Sequence, residues 1–215
     1  MIRVHTAVCG PLENNVYLVW DEDTREVALI DPGIGSEGFT DFVRREGLKP
    51  KYILNTHAHF DHTWSNAFFK REWGVSLVCP RGDESILKHS SDAALSFGFN
   101  APQASPAADI WCQGGDEFFL GSERIEVLDT PGHTPGHVSF LTAAGVFCGD
   151  VLFNGGVGRW DLPGGDGKLL LASIRETLFA LPDPTPVFPG HGSPTSIGEE
   201  KRSNPYVGEG AVFEL

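Results

Sequence analysis

Between positions 56 and 62 the chain reads THAHFDH, which puts three of its 8 histidines and one carboxylate within six positions. Imidazole and carboxylate are common ligands of divalent metals, and a loop after a strand can aim several of them at one point. His57 and His59 alternate and can share one direction, while Asp61 and His62 turn toward a second. His133 lies in TPGHTPGH, where two Pro-Gly turns hold the backbone in fixed shapes. Asp150 follows the apolar run VFCG, and His191 stands in FPGHG after another short apolar run. These seven candidates are too many for one tetrahedral ion, which takes three protein groups and a water when catalytic. Two divalent ions are therefore expected. One partition that satisfies both puts His57, His59 and His133 on one ion and Asp61, His62 and His191 on the other, with Asp150 bridging. Ions about 3.5–4 Å apart can hold a hydroxide between them as nucleophile. Turnover then depends on Asp150, and on Asp61, whose free oxygen could also shuttle a proton. Zinc is the first expectation, with iron and manganese as alternatives that the same N and O donors accept.

Such a set needs elements to carry it. Alternating apolar patterns predict strands at Ile2–Val8, Val16–Trp20, Glu26–Ile30, Lys51–Leu54 and Ser76–Cys79. Helices are expected from Ser36 to about Arg45, from about Thr63 to Glu72 and from about Asp83 to His89. The Ala-, Ser- and Pro-rich stretch Ser91–Ala108 reads as a connecting loop. The second half repeats the style, with strands at Glu117–Phe119, Arg124–Leu128, Val138–Thr142, Val146–Cys148 and Val187–Phe188, and a helix from about Gly167 to Ala180. Two strand-and-helix halves, each ending near histidines, predict two sheets packed together with helices outside, an αββα layering. Residues 1–215 are expected to form one domain, since no linker or low-complexity segment divides them.

Composition excludes several function classes. The 29 acidic against 16 basic residues leave a formal charge of −13, which repels a phosphate backbone, so no nucleic-acid partner is expected. There is no apolar run of about 18 residues for a membrane span and no leader-like start, so a cytoplasmic location without membrane association is expected. Cys9, Cys79, Cys112 and Cys148 show no paired spacing and read as buried free thiols. The stretch NGGVGRWDLPGGDGK lacks the registers of a nucleotide cradle. Within it, Arg159 and Asp161 read as an internal ion pair, with contact of Arg159 to a substrate carboxylate as the alternative. His137 is either a donor behind the metal site or structural, Asp31 in LIDPG is placed to orient a ligand histidine, and His5 and His89 read as structural. Lys201 and Arg202 read as a solvated helix face.

The order THAHFDH, TPGHTPGH, FCGD, PGHG resembles the metallo-β-lactamase-fold hydrolases, and within them the short bacterial glyoxalase II-like thioesterases. The resemblance runs from the opening strands to GEEKRSNPY. It implies the metallo-β-lactamase fold, an αββα sandwich of two mixed sheets flanked by helices, and the ligand partition given above. It also implies hydrolysis of a small-molecule thioester such as an S-acylglutathione by a hydroxide bridging the metals. Glyoxalase II carries a helical C-terminal extension that helps bind glutathione, whereas this chain stops soon after SNPY, so the thiol carrier stays open. A dizinc β-lactamase would show a cysteine among its second-metal ligands; Asp150 in the bridging place argues against lactamase activity. The loop Leu152–Gly165, with Gly158, Arg159 and Asp161, is similar also to that of persulfide dioxygenases, which would use one iron on His57, His133 and Asp150. Hydrolysis of a lactone or phosphodiester is a further alternative, because one fold hosts many reactions.

Overall fold

The strand sequences NNVYLVWD and EVALI contain the unbroken apolar runs VYLVW and VALI, a pattern suited to strands covered on both faces. The computed structural model, which describes residues 1–100 and 103–211, shows this covering. In the first half, β1 (Ile2–Cys9), β2 (Asn14–Asp21) and β3 (Glu26–Ile30) form an antiparallel meander. Next come α1 (Phe39–Arg45), β4 (Lys49–Leu54), α2 (Phe60–Thr63), α3 (Asn66–Trp73), β5 (Ser76–Pro80), α4 (Glu84–Lys88), α5 (Ser90–Ser96) and β6 (Ile110–Cys112). The connections between β3, β4, β5 and β6 are parallel crossovers, so the first sheet is mixed, in the order β1-β2-β3-β4-β5-β6.

The second half contributes β7 (Glu117–Leu120), β8 (Glu123–Asp129), β9 (Val138–Thr142) and β10 (Gly145–Gly149), then a small hairpin of β11 (Leu152–Phe153) and β12 (Gly156–Val157). After it come α6 (Gly167–Ser173), β13 (Pro186–Pro189), β14 (Thr195–Ser196) and α7 (Ile197–Ser203). The second sheet runs β14-β13-β10-β9-β8-β7 and is also mixed, with β10 and β13 parallel.

Alternation along the strands sorts side chains into three apolar layers. Tyr17, Val19, Ala28, Ile30, Leu54 and Val78 face Phe118, Ile125, Val127, Phe140 and Phe147 between the sheets. Their neighbours Val16, Leu18, Leu29, Ile53 and Leu77 point outward to Phe39, Val43 and Phe69 of α1 and α3. On the other flank Val146, Cys148 and Val187 meet Leu170, Ile174, Leu178 and Ile197. This is the expected αββα sandwich.

Local departures have physical causes. The helix expected from Thr63 is broken at Trp64 and Ser65, so Asp61 and His62 sit in the separate first turn α2 rather than in open loop. The stretch read as the loop Ser91–Ala108 begins in α5, where Ala93, Ala94 and Leu95 support a helical turn; positions 101 and 102 of it lie outside the described residues. The helix from Gly167 ends in a π-type turn over Ile174–Leu178, which keeps Ile174 and Leu178 both buried. Strands β6, β11, β12 and β14 were not expected: two or three residues long, they are defined by their partners rather than by periodicity. All four cysteines are free and buried, as read.

Candidate metal centre

The seven candidates converge at one rim of the sandwich, each just beyond a strand end. His57 and His59 follow β4, Asp61 and His62 lie on α2, His133 follows β8, Asp150 follows β10 and His191 follows β13. Donor atoms of His57, His59 and His133 lie within 4.8 Å of one another, as do those of Asp61, His62 and His191. Nδ1 of His59 and Nε2 of His133 face each other at 2.9 Å. Asp150 stands between the two groups: its Oδ1 is 3.4 Å from His62 Nε2, and its Oδ2 is 3.7 Å from His133 Nε2 and 3.5 Å from His191 Nε2. Asp61 Oδ2 lies 3.5 Å from both His62 Nε2 and His191 Nε2.

Most of the rings are aimed from behind. His62 Nδ1 donates to Asp31 Oδ2 (3.1 Å), His133 Nδ1 to the Arg159 carbonyl (2.7 Å) and His191 Nδ1 to the Leu12 carbonyl (3.0 Å). Thr56 Oγ1 donates to Asp31 Oδ2 at 2.7 Å, which leaves its lone pair to accept from His57 Nδ1 at 3.0 Å. One carboxylate, Asp31, thus sets the tautomer of two histidines and turns their Nε2 lone pairs toward the centre. Asp31 holds a left-handed φ of 51°, which bends the chain out of β3 so that this carboxylate faces the rim.

The donor set fits a divalent metal on a direct observation. Nε2 of His57, Nε2 of His62 and Oδ1 of Asp150 are buried and have no hydrogen-bond partner among the described residues. Buried polar atoms left without partners are costly, and three of them among the candidate ligands are what bound cations would satisfy. Room for Asp150 depends on Gly190, where a Cβ would overlap the Asp150 carboxylate and lie 2.8 Å from His62 Cε1.

The two groups differ in charge. Burial, reinforced by the surrounding histidines, keeps His57 well below the ordinary histidine range and brings His59 down to about 4. Burial also opposes charge on His62, but Asp150, Asp61 and Asp31 outweigh it and raise this histidine to about 10. His191 is raised as well, against its burial, by the hydrogen bond to Asp61 and by Asp150. Asp61 is in turn held below the carboxylate range despite burial, by His62, His191 and Asn14.

His137 is fully buried, with its ring stacked on His57 at 4.9 Å, and its Nε2 accepts the Asp150 backbone N–H at 3.2 Å. It thus accepts through Nε2 behind the site, while its Nδ1 lies 3.1 Å from Thr130 Oγ1. Arg159 and Asp161 form the expected ion pair, bidentate at 2.7 and 2.8 Å. Lys201 is less free than a solvated face implies, since it binds Asp183 at 2.7 Å and the Leu181 carbonyl at 3.2 Å. His5 stacks on Phe42 at 3.9 Å. Two residues escaped the sequence reading. Asn14 donates to Asp61 Oδ2 at 2.9 Å, and Asp83 accepts from both ligand loops. Neither stands in a cluster that would flag it.

A family model described as the metallo-beta-lactamase superfamily matches residues 9–191. The chain is 38% identical to a hydroxyacylglutathione hydrolase, GloC, of Haemophilus influenzae, over 91% of this chain and 93% of that one. Among solved structures it is similar to TTHA1623 in a di-iron-bound form, with a TM-score of 0.86 and 39% identity over 94% of this chain and 99% of that one. It is also similar to BLEG-1, described as a B3 metallo-beta-lactamase, with a TM-score of 0.89 and 33% identity over 95% and 99%.

Proposed function

The chain belongs to the metallo-beta-lactamase superfamily, and from that premise we propose that this metal-dependent hydrolase cleaves thioesters of the S-acylglutathione kind. The observation that carries the reading is Asp150, whose two oxygens reach toward histidines of both groups. A mononuclear site needs no such bridge. His57, His59 and His133 would hold one ion, Asp61, His62 and His191 the second, and Asp150 both. When bound, such a pair polarises a carbonyl and brings the pKa of a water toward neutrality. The relatedness to a hydroxyacylglutathione hydrolase supports the thioester, as does the di-iron form of a similar structure for the dinuclear site.

The chain's own groups suit that task. Asn14 fixes Asp61 through Oδ2, the same oxygen that faces His62 and His191. The His133 ring cannot turn away, because its Nδ1 is tied to the Arg159 carbonyl. A thiol with a pKa of about 8.5 leaves as thiolate without a strong general acid. Cys148 is not placed as a ligand: its thiol donates to the Leu152 carbonyl at 3.2 Å, and burial pushes its pKa up to about 12.

The test joins metal analysis of protein purified without added metal to assays of S-lactoylglutathione hydrolysis, β-lactam hydrolysis and oxygen uptake with glutathione persulfide. Two ions per chain with thioester cleavage, lost in Asp150→Ala, is the expected result. One iron with oxygen uptake, or cleavage of a lactam in preference, overturns it.

A further inference from the structure

The first ligand triad comes from two loops far apart in sequence, one carrying His57 and His59 and the other His133, and a single buried carboxylate stitches those loops together. Asp83 Oδ2 accepts the Ala58 N–H, between the two histidines, at 2.9 Å, and the hydroxyl of Thr134, next to His133, at 2.7 Å. Its Oδ1 accepts the Gly136 N–H at 2.7 Å. Asp83 is fully buried, and none of its three donors is a cation. Burial accordingly lifts its carboxyl above the usual range. The approach that permits this is close: a Cβ on Gly82 would lie 2.6 Å from the Gly136 Cα. Besides this carboxylate, the loops share a backbone bond from Val138 N to the Thr56 carbonyl at 2.9 Å and the 2.9 Å approach of the His59 and His133 rings themselves.

We propose that Asp83 is a positioning residue for metal binding: it locks the THAHFDH and TPGHTPGH loops so that His57, His59 and His133 meet as one chelating set. The inference rests on the metal assignment above and adds to it a residue that touches no metal. An isolated buried carboxylate is expensive, and packing alone could have joined the loops more cheaply. What three directed hydrogen bonds supply that packing does not is a fixed separation, and partners behind metal ligands typically carry about 10–100-fold in metal affinity or activity.

The test uses metal-stripped full-length protein titrated with Co2+ and read by d–d absorption, and with Zn2+ against a chromophoric chelator. Asp83→Asn offers one acceptor oxygen where two are used, so at least one N–H faces another donor. It is expected to weaken the site of His57, His59 and His133 about 10–100-fold and to shift the Co2+ spectrum. Thr134→Val, which removes one bond and spares the carboxylate, is expected to fall between, and Thr134→Ser to behave as native. Val43→Ala, in the outer layer far from the loops, controls for stability loss and is expected to lower Tm with native affinity. Native Co2+ binding by Asp83→Asn and Thr134→Val, or equal weakening by Val43→Ala, overturns the role of Asp83. Failure of the unmodified protein to bind Co2+ overturns the metal assignment instead.

Discussion

Filling the two halves of the site should cost different numbers of protons. His57 and His59 are already neutral at pH 7, whereas His62, raised to about 10, holds a proton that a metal must displace. Below that pKa each displaced proton changes apparent affinity tenfold per pH unit, or about 1.4 kcal/mol. Between pH 6 and pH 8 the second ion should therefore bind about 100-fold more tightly, a gain of about 2.7 kcal/mol from the His62 proton alone. The first ion should bind with little dependence on pH from His57 and His59. Isothermal titration of metal-free protein with Zn2+, repeated in buffers of different ionisation enthalpy, counts the protons released at each step. The expected result is at least one more proton at the second step than at the first. Equal proton release at both steps, or a flat second affinity from pH 6 to pH 8, refutes the charge asymmetry.

Three other outcomes follow from the same geometry. Asp31→Asn puts an amide where a carboxylate accepts from Thr56 and His62, so one donor must oppose another; the expected loss is about 10–100-fold in affinity for the ion on His62, measured by chelator competition. Gly190→Ala displaces the Asp150 carboxylate and should abolish turnover while circular dichroism stays native. For the metal-free protein the folded pKa of His62 lies above its unfolded value of about 6.5. Its contribution to stability is full below pH 6.5 and is lost as pH rises through about 10, so Tm should fall from neutral to alkaline pH, an effect that bound metal removes.

Much of the site was legible because its chemistry is local. THAHFDH concentrates donors in one turn, and TPGHTPGH, FCGD and PGHG mark strand ends by the switch from apolar residues to glycine and a polar group. The strands Glu26–Ile30 and Val138–Thr142 were readable to the residue, since their apolar runs are bounded by charge or turn residues. Asp83 and Asn14 were not readable, because each acts on a partner far away in sequence and a lone polar residue carries no periodicity. Asn14 reaches Asp61 across 47 positions and Asp83 reaches Gly136 across 53. The three-residue strand β6 exists only because β5 offers it a parallel edge from Val78 to Pro80.

The direction of substrate approach follows from how burial is shared out. His57 and His62 are wholly inaccessible and His133 nearly so, with the apolar layers behind them. The His191 side chain remains 27% exposed and Asp61 13%. On the proposed reading, a substrate carbonyl reaches the site where Asp61, His191 and the half-buried His59 come to the surface. Depth does not separate the two groups, since each joins buried and partly exposed donors; charge does, with His57 and His59 held neutral at pH 7 while His62 carries a proton in the metal-free protein.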